Sequence, residues 1–453
     1  MTLDIPDLGV AGTTLDVSAD PRVHFFETAH GHHMLATDGS RIFDVEPSLQ
    51  EDYAGWDNAA RAEFLSGLGL RDAPYVDDTP PADMPIRALS LAVAQKCNLA
   101  CTYCYASGGD FGVPARNMEW DVAKASVDRL FAQAEPGARV NLAFMGGEPL
   151  VNRPLVRKAT AYAVDTAADR DVKVGFSITT NGTLISADDA DFFNQNRFAV
   201  TISLDGVGDT HDRLRPYRNG RGSFDAILKR LAPLLGRMAR AQVSARVTVT
   251  PENLELRKTL DHFVALGFHS VGFAPMLSAP DPQHELDVPH LDEMLEQMID
   301  CAQGCEEAIL QGRPYPFSNM EAALMEIHRG THRPYPCGAG AGYFGVSADG
   351  GLFACHRFVE DKAGAMGSVQ DGLDDARRDG WLADRHVHKQ SPCTSCWAQY
   401  LCGGGCHHEV IHRGRPACDY IRGWLDHCLG AYVRIQETRP DYFEQPLSRS
   451  SRP

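Results

Sequence analysis

Residues 86–105 decide how the chain is read: Ile86-Arg87-Ala88-Leu89-Ser90-Leu91-Ala92-Val93-Ala94-Gln95-Lys96-Cys97-Asn98-Leu99-Ala100-Cys101-Thr102-Tyr103-Cys104-Tyr105. An apolar, strand-like run passes directly into three cysteines spaced C-x3-C-x2-C. Iron–sulfur clusters held by protein alone normally take four cysteines. Three thiolates in one tight loop would hold three irons of a [4Fe–4S] cube and leave the fourth open for chemistry. The same logic of an open position separates catalytic from structural zinc sites. The alternatives are a zinc loop or reduced structural thiols.

Outward from that loop the pattern is strand, helix, strand, helix. Strands are expected at 86–94, 139–144, 172–178, 199–204, 243–249 and 270–275, with helices among them at 121–134, 223–237 and 254–266. Six strands alternating with helices imply right-handed crossovers and a parallel sheet. Active sites of such sheets lie at the carboxyl ends of the strands, and the cysteine loop sits at that end of the first one. Upstream, residues 23–45 read as a β-meander turned at His30-Gly31 and Asp38-Gly39. A helix at 56–68 and a Pro-rich link at 78–85 follow. Residues 1–20 and 444–453 read as a loose arm and a frayed tail. After a helix near 290–311, residues 330–430 are rich in Gly, Cys and His, and long helices are not expected there before 418–432. The chain therefore divides into an N-terminal arm and meander (1–85), an α/β partial barrel (86–315), a separate metal-organised domain (316–435) and a tail (436–453).

Composition narrows the class. Of 453 residues, 43% are hydrophobic and 23% charged, which is ordinary for a globular protein. A net charge of −17 argues against nonspecific nucleic-acid binding and against docking on anionic lipid. Residues 1–7 show neither a basic nor an apolar leader segment, and no apolar run approaches a membrane span, so a cytoplasmic setting is expected. Thirteen cysteines in a reducing compartment read as metal ligands before disulfides.

Further motifs follow the strands. Met145-Gly146-Gly147-Glu148-Pro149 closes the second strand, where paired glycines let backbone approach a ligand and Glu148 can accept from an ammonium group. Thr179-Thr180-Asn181-Gly182-Thr183 closes the third, and Ser203-Leu204-Asp205-Gly206 the fourth. Arg215 and Arg218 are either ligand-facing or ordinary surface arginines. Toward the C-terminus stands Cys393-x2-Cys396-x5-Cys402-x3-Cys406, with Cys337 and Cys355 upstream and Cys418 and Cys428 downstream. A zinc ribbon would leave too many of these cysteines unassigned. A hairpin over 343–355, turned at Asp349-Gly350-Gly351, presents Cys355 and then His356. Cys301 and Cys305, four apart on a helix, read as core thiols.

Taken together, these segments resemble the radical SAM enzymes, and the C-terminal array resembles the SPASM extension of their peptide-modifying branch. The resemblance implies a partial (β/α)6 TIM-type barrel with a small α+β cap and an Fe–S-organised C-terminal domain. It implies S-adenosylmethionine (SAM) as cofactor, a [4Fe–4S] cluster on Cys97, Cys101 and Cys104, and two auxiliary [4Fe–4S] clusters. Cys337, Cys355 and Cys406 would hold the first auxiliary cluster; Cys393, Cys396, Cys402 and Cys418 the second, with Cys428 competing for its last position. Tyr103, Gly146, Gly147, Glu148, Pro149, Asn181, Ser203 and Arg215 would line the SAM site, with Glu148 on the amine, Ser203 on the ribose and Arg215 on the carboxylate. The implied chemistry is reductive cleavage of SAM to a radical that takes hydrogen from substrate.

Two departures from the sulfatase-maturase pattern stand out. No cysteine lies just before Cys337, which leaves the first auxiliary cluster open or completed by Cys428 or a His. His356 follows Cys355 where those maturases carry Asp, as thioether-forming maturases show. Asp205 and His356 are the two candidates for moving a proton. Trp397-Ala398-Gln399-Tyr400-Leu401, the His407-His408 pair and Cys418-Asp419-Tyr420-Ile421-Arg422-Gly423-Trp424 most resemble maturases of quinohaemoprotein amine dehydrogenase. That resemblance implies a small Cys-rich polypeptide partner, the dehydrogenase γ-subunit, whose cysteine sulfur is joined to Asp or Glu carbons. It also implies a one-electron reductant such as flavodoxin or ferredoxin. Other readings are a different peptide or sulfatase maturase, or an Fe–S electron-transfer protein. The meander would hold peptide at a strand edge or simply cap the barrel.

Overall fold

The computed structural model describes residues 20–70, 75–81, 84–235 and 240–444. The expected arm at 1–19, the tail beyond 444, part of the Pro-rich link and the end of the helix expected at 223–237 lie outside them. The N-terminal meander comprises β1 (Val23–Thr28), β2 (Gly31–Ala36) and β3 (Arg41–Val45), antiparallel in that order and turned at both expected dipeptides. Two helices follow where one was expected, α1 (Leu49–Gly55) and α2 (Asn58–Gly67). Asp57 separates them because its side chain accepts from Ala60 N and starts a new helix. Val23, Met34, Tyr53 and Leu65 form the small core of this unit.

The barrel begins with β4 (Ala88–Gln95), followed by the short β5 (Arg116–Asn117) and α3 (Trp120–Ala132). Then come β6 (Arg139–Gly146), α4 (Arg153–Asp169), β7 (Lys173–Thr180), α5 (Ala187–Gln195) and β8 (Ala199–Ser203). After α6 (Asp209–Leu214) and α7 (Phe224–Leu231) come β9 (Gln242–Val249), α8 (Leu256–Ala265) and β10 (Ser270–Pro275). The strands β4, β6, β7, β8, β9 and β10 pair in parallel in that sequence. This is the expected partial barrel. β4 is buried along nearly its whole length, as a central strand covered on both faces must be. Phe144, Phe176, Phe193 and Phe198 stack beneath the sheet between strands and helices. Ser186 and Asp189 cap α5 reciprocally, which fixes where that helix leaves the barrel rim.

The C-terminal third departs from the expected separation. After α9 (Val288–Leu310) and α10 (Ser318–His328), β11 (Tyr343–Val346) pairs in parallel with β4 itself. β12 (Gly351–Phe353), β13 (Ala365–Ser368) and β14 (Gly372–Leu373) continue antiparallel, so one sheet runs from the barrel into this region. The free edge of β4 offered a full ladder of backbone groups, and the hairpin satisfies it. Helix α11 (Asp375–Arg385) was also not expected; its many charges hide its periodicity, yet it buries Trp381 and Leu382. Helices α12 (Gln399–Cys402), α13 (His407–Arg413), α14 (Cys418–Thr438) and α15 (Asp441–Glu444) complete the chain. α14 packs along α9 and α10, and Arg434 clamps Glu306 of α9 through two bonds of 2.7 and 2.8 Å. No helix of the described residues is long and apolar enough to cross a membrane.

Candidate active site

The cysteine loop leaves β4 and is tied down on both sides. Gly147 N donates to Ala94 O at 2.8 Å and Glu148 N to Lys96 O at 2.9 Å, so the Gly-Gly-Glu-Pro turn pairs with the root of the loop. A Cβ on Gly147 would sit 2.4 Å from Lys96 O, and one on Gly109 would sit 2.7 Å from the Cys97 Cβ. Glycine at both places is therefore a steric requirement of this contact. On the other side, Ala100 N and Thr102 N donate to Pro216 O and Leu214 O at 2.9 and 3.1 Å. Arg218 caps Cys97 O at 2.9 Å and so is more than a surface arginine.

Cys97, Cys101 and Cys104 converge within this frame. Burial raises the thiol pKa of Cys97 and pushes that of Cys101 up to about 12, and nearby Cys104 adds to both. Arg215 opposes the rise at Cys101, and Asn181 Nδ2 donates to Cys97 Sγ at 3.6 Å. Thiols this hard to ionise alone become thiolates when a cation or metal shares the site. Glu148 is fully buried, which raises its pKa. Its Oε1 accepts from Leu150 N and Thr180 Oγ1, while Oε2 accepts from Asn181 N at 2.8 Å. Ser203 closes β8 on the same rim.

Tyr103, Asp205 and Arg215 form a buried triad. Arg215 Nη1 lies 2.5 Å from the Tyr103 hydroxyl and 3.2 Å from Asp205 Oδ2, and the Tyr103 hydroxyl also bonds that oxygen. Asp205 Oδ1 accepts from Thr248 N at 2.8 Å. Both Asp205 oxygens are thus engaged in holding the floor of the loop. Arg215 keeps its charge there, facing Cys101.

His356 follows the β12 end and hydrogen-bonds the Tyr343 hydroxyl through Nδ1 at 2.7 Å. Burial, reinforced by Arg357 and Arg246, pulls its pKa down to about 4, so the ring is neutral at pH 7. The Tyr105 ring, next to Cys104, stands 6.5 Å from it. Arg246, from β9, is exposed and lies near Gly272 of β10, with Glu409 and Tyr420 nearby. Among the described residues its side chain makes no hydrogen bond or ion pair. Arg357 pairs with Glu409 at 2.7 Å and lies over the Tyr105 ring at 5.5 Å. Sequence reasoning missed Tyr105, Arg246 and Arg357 because single aromatic and basic residues carry no local signature.

The C-terminal cysteines fall into two groups. Cys355 is pushed up to about 12 by burial and then by Cys406 and Cys337, so these three share one neighbourhood. Cys393, Cys396, Cys402 and Cys418 line one cleft of about 590 Å³, with Arg415 and Arg422 beside them, and Cys406 of the first group reaches the same cleft. Cys428 is elsewhere: it is fully buried between α14 and α9, near Cys305. Four thiolates around one zinc ion stand about 3.8 Å apart, given Zn–S near 2.3 Å. Among the described residues, no cysteine belongs to a group of three donors within 4.8 Å of one another.

Residues 91–263 match the radical SAM superfamily. An uncharacterized protein of Methanocaldococcus jannaschii is 30% identical over 46% of this chain and 68% of its own length. The cysteine-type anaerobic sulfatase-maturating enzyme of Clostridium novyi is 28% identical over 71% of this chain and 88% of its own. Native anSMEcpe with bound AdoMet superposes with a TM-score of 0.66 at 20% identity, over 78% of this chain and 100% of that one. Streptococcus suis SuiB bound to precursor peptide SuiA gives 0.52 at 14% identity, over 87% and 97%. With the cysteine loop, the Gly-Gly-Glu-Pro turn and the parallel barrel already in place, these matches lead to one conclusion: the chain belongs to the radical SAM superfamily.

Proposed function

We propose that this protein modifies a polypeptide by radical SAM chemistry, forming thioether links between cysteine sulfur and Asp or Glu carbons within the γ-subunit of quinohaemoprotein amine dehydrogenase. A SAM-loaded [4Fe–4S] cluster, when bound, supplies a 5′-deoxyadenosyl radical that removes hydrogen from substrate. Cys97, Cys101 and Cys104 are the residues that would hold it, and Glu148, whose carboxylate accepts from Leu150 N, Thr180 Oγ1 and Asn181 N, is the residue that would accept from the SAM amine. The two C-terminal cysteine groups would hold auxiliary clusters. Sulfatase-maturating enzymes, as named, act on polypeptides, and SuiB was solved with a precursor peptide, which supports a polypeptide substrate.

The observation that supports the thioether reading is that His356 and Arg246 lie close enough for the arginine charge to act on the imidazole. A neutral imidazole can take a proton from a substrate thiol, with Tyr343 fixing the ring. Arg246 is an exposed cation on β9 that, among the described residues, makes no hydrogen bond or ion pair, which suits it to an Asp or Glu carboxylate of the incoming chain. Each link removes one thiol proton, one carbon-bound hydrogen atom and one electron from the polypeptide. The strand β3 pairs with β2 alone among the described residues and is the edge at which peptide backbone would add.

Intact mass of the γ-subunit after anaerobic incubation with cluster-loaded enzyme, SAM and reductant tests the proposal. Loss of two hydrogens per link, with thiols closed to alkylation and resistant to disulfide reductant, supports it. Unchanged mass despite 5′-deoxyadenosine release redirects the search to another polypeptide. Loss of sulfur from a sulfatase cysteine would instead support the second reading, formylglycine formation, which the Clostridium novyi relative favours.

A further inference from the structure

Helix α13 contains His408-Glu409-Val410-Ile411-His412, an H-E-x-x-H sequence. Histidines four apart lie on one face of a helix, and this spacing on a helix is a known way to present two imidazoles to one zinc ion. The motif alone is short enough to arise by chance. Here the tertiary structure adds a third donor. Asp361, on the loop after the His356-Arg357-Phe358 turn, brings its carboxylate to the same face, and ligand atoms of Asp361, His408 and His412 all lie within 4.8 Å of one another.

The surroundings are those of a prepared site. Asp361 Oδ1 accepts from Ala363 N at 2.9 Å, which turns Oδ2 toward His412 Nε2 at 2.7 Å. Ligating carboxylates are commonly oriented by such a second bond. The His408 and His412 rings stand 4.6 Å apart between centroids. His408 is 9% exposed, and its Nδ1 is buried without a hydrogen-bond partner. An unpartnered buried ring nitrogen costs free energy that a metal ion or its bound water would offset. All three side chains open onto a cleft of about 730 Å³ that also reaches Tyr105.

We propose that Asp361, His408 and His412 bind one zinc ion, or a divalent ion of like preference, with a fourth position open to this cleft. Two imidazoles and a carboxylate are a sufficient protein shell for tetrahedral zinc with one exchangeable ligand. Donors around such an ion stand about 3.3 Å apart, given Zn–N and Zn–O near 2.0 Å. The ion therefore replaces the direct His412–Asp361 contact, and side-chain rotation closes the remaining gap. In hydrolytic H-E-x-x-H sites the glutamate serves as base. Here Glu409 is ion-paired to Arg357 at 2.7 Å and its side chain is mostly buried. The ion's part is thus to bind and clamp: it ties the Asp361 loop to α13 at the mouth of the cleft. This site is distinct from the cysteine groups and does not depend on the substrate assigned above.

The test uses full-length, cluster-loaded protein dialysed anaerobically against micromolar zinc, with zinc and iron counted together. Wild type is compared with His412→Ala, Asp361→Asn and, as a control on the same loop, Lys362→Ala. Wild type and Lys362→Ala should hold one more zinc per chain than the two site variants, at equal iron. Zinc affinity should fall about 100-fold or more in the variants. The zinc absorption edge of wild type should show nitrogen and oxygen scatterers near about 2.0 Å and no sulfur shell at about 2.3 Å. Equal zinc in all four proteins, or a sulfur shell in wild type, overturns the proposal. His412 and Asp361 are partly exposed, so their substitution leaves the core intact, and the iron count verifies this.

Discussion

Arg215 Nη1 sits 3.2 Å from Asp205 Oδ2, with the arginine side chain 11% exposed and the aspartate 0%. The pair lies under the cysteine loop, and Tyr103 is locked between its members. Removing one member of a buried pair leaves the other charge uncompensated, at a cost of about 3–5 kcal/mol. Asp205→Ala should therefore lower the denaturant midpoint sharply and reduce cluster loading. Asp205→Asn should lose less, because an amide still accepts from Thr248 N. Equal, small effects from both would show that the triad is not a structural floor.

Ala substitution at Cys97, Cys101 or Cys104 should remove about four irons per chain and bring 5′-deoxyadenosine formation to background. Iron counting and product chromatography on the same sample check this. A triple variant that still cleaves SAM would exclude this loop as the seat of the reactive cluster.

Cys418 and Cys428 should behave oppositely. Cys418 lines the cleft with Cys393, Cys396 and Cys402, so Cys418→Ser should lower iron content with little change in the helical core. Cys428 is fully buried in that core. Cys428→Ser should keep its iron and lose about 1–3 kcal/mol of stability, from a buried hydroxyl with no assured partner. Iron analysis beside a denaturation curve separates the two.

Acid should act through Asp189. Burial alone would raise its pKa, but the Arg153 and Ser186 hydrogen bonds hold it below 3.8. A carboxylate with a depressed folded pKa contributes stability that is complete above its unfolded value and lost as pH falls through the folded one. Between pH 7 and 5 wild type and Asp189→Asn should differ by a constant amount. Below pH 3.8 the difference should shrink, as read from denaturation midpoints across that range.

Much of the site was legible because its motifs are local. Strand periodicity located all six barrel strands to within a few residues, and Gly146, Gly147 and Glu148 stand next to the strand end that aims them. The His408 and His412 spacing is equally local, yet its third member, Asp361, lies on a loop that no pattern connects to α13. Helix α11 escaped because charges crowd it; the helix expected at 56–68 is α2, and the short α1 that precedes it was not expected.

By itself the sequence determined the elements and the cysteine spacings, since backbone periodicity and short loops depend on neighbours along the chain. Only the tertiary structure decided the partners. It joined β11 to the open edge of β4, drew Cys418 to the second cysteine group while sealing Cys428 beside Cys305, and paired Asp205 with Arg215. These outcomes turn on burial and on which remote groups share a desolvated space, and no residue's neighbours in the chain carry that information.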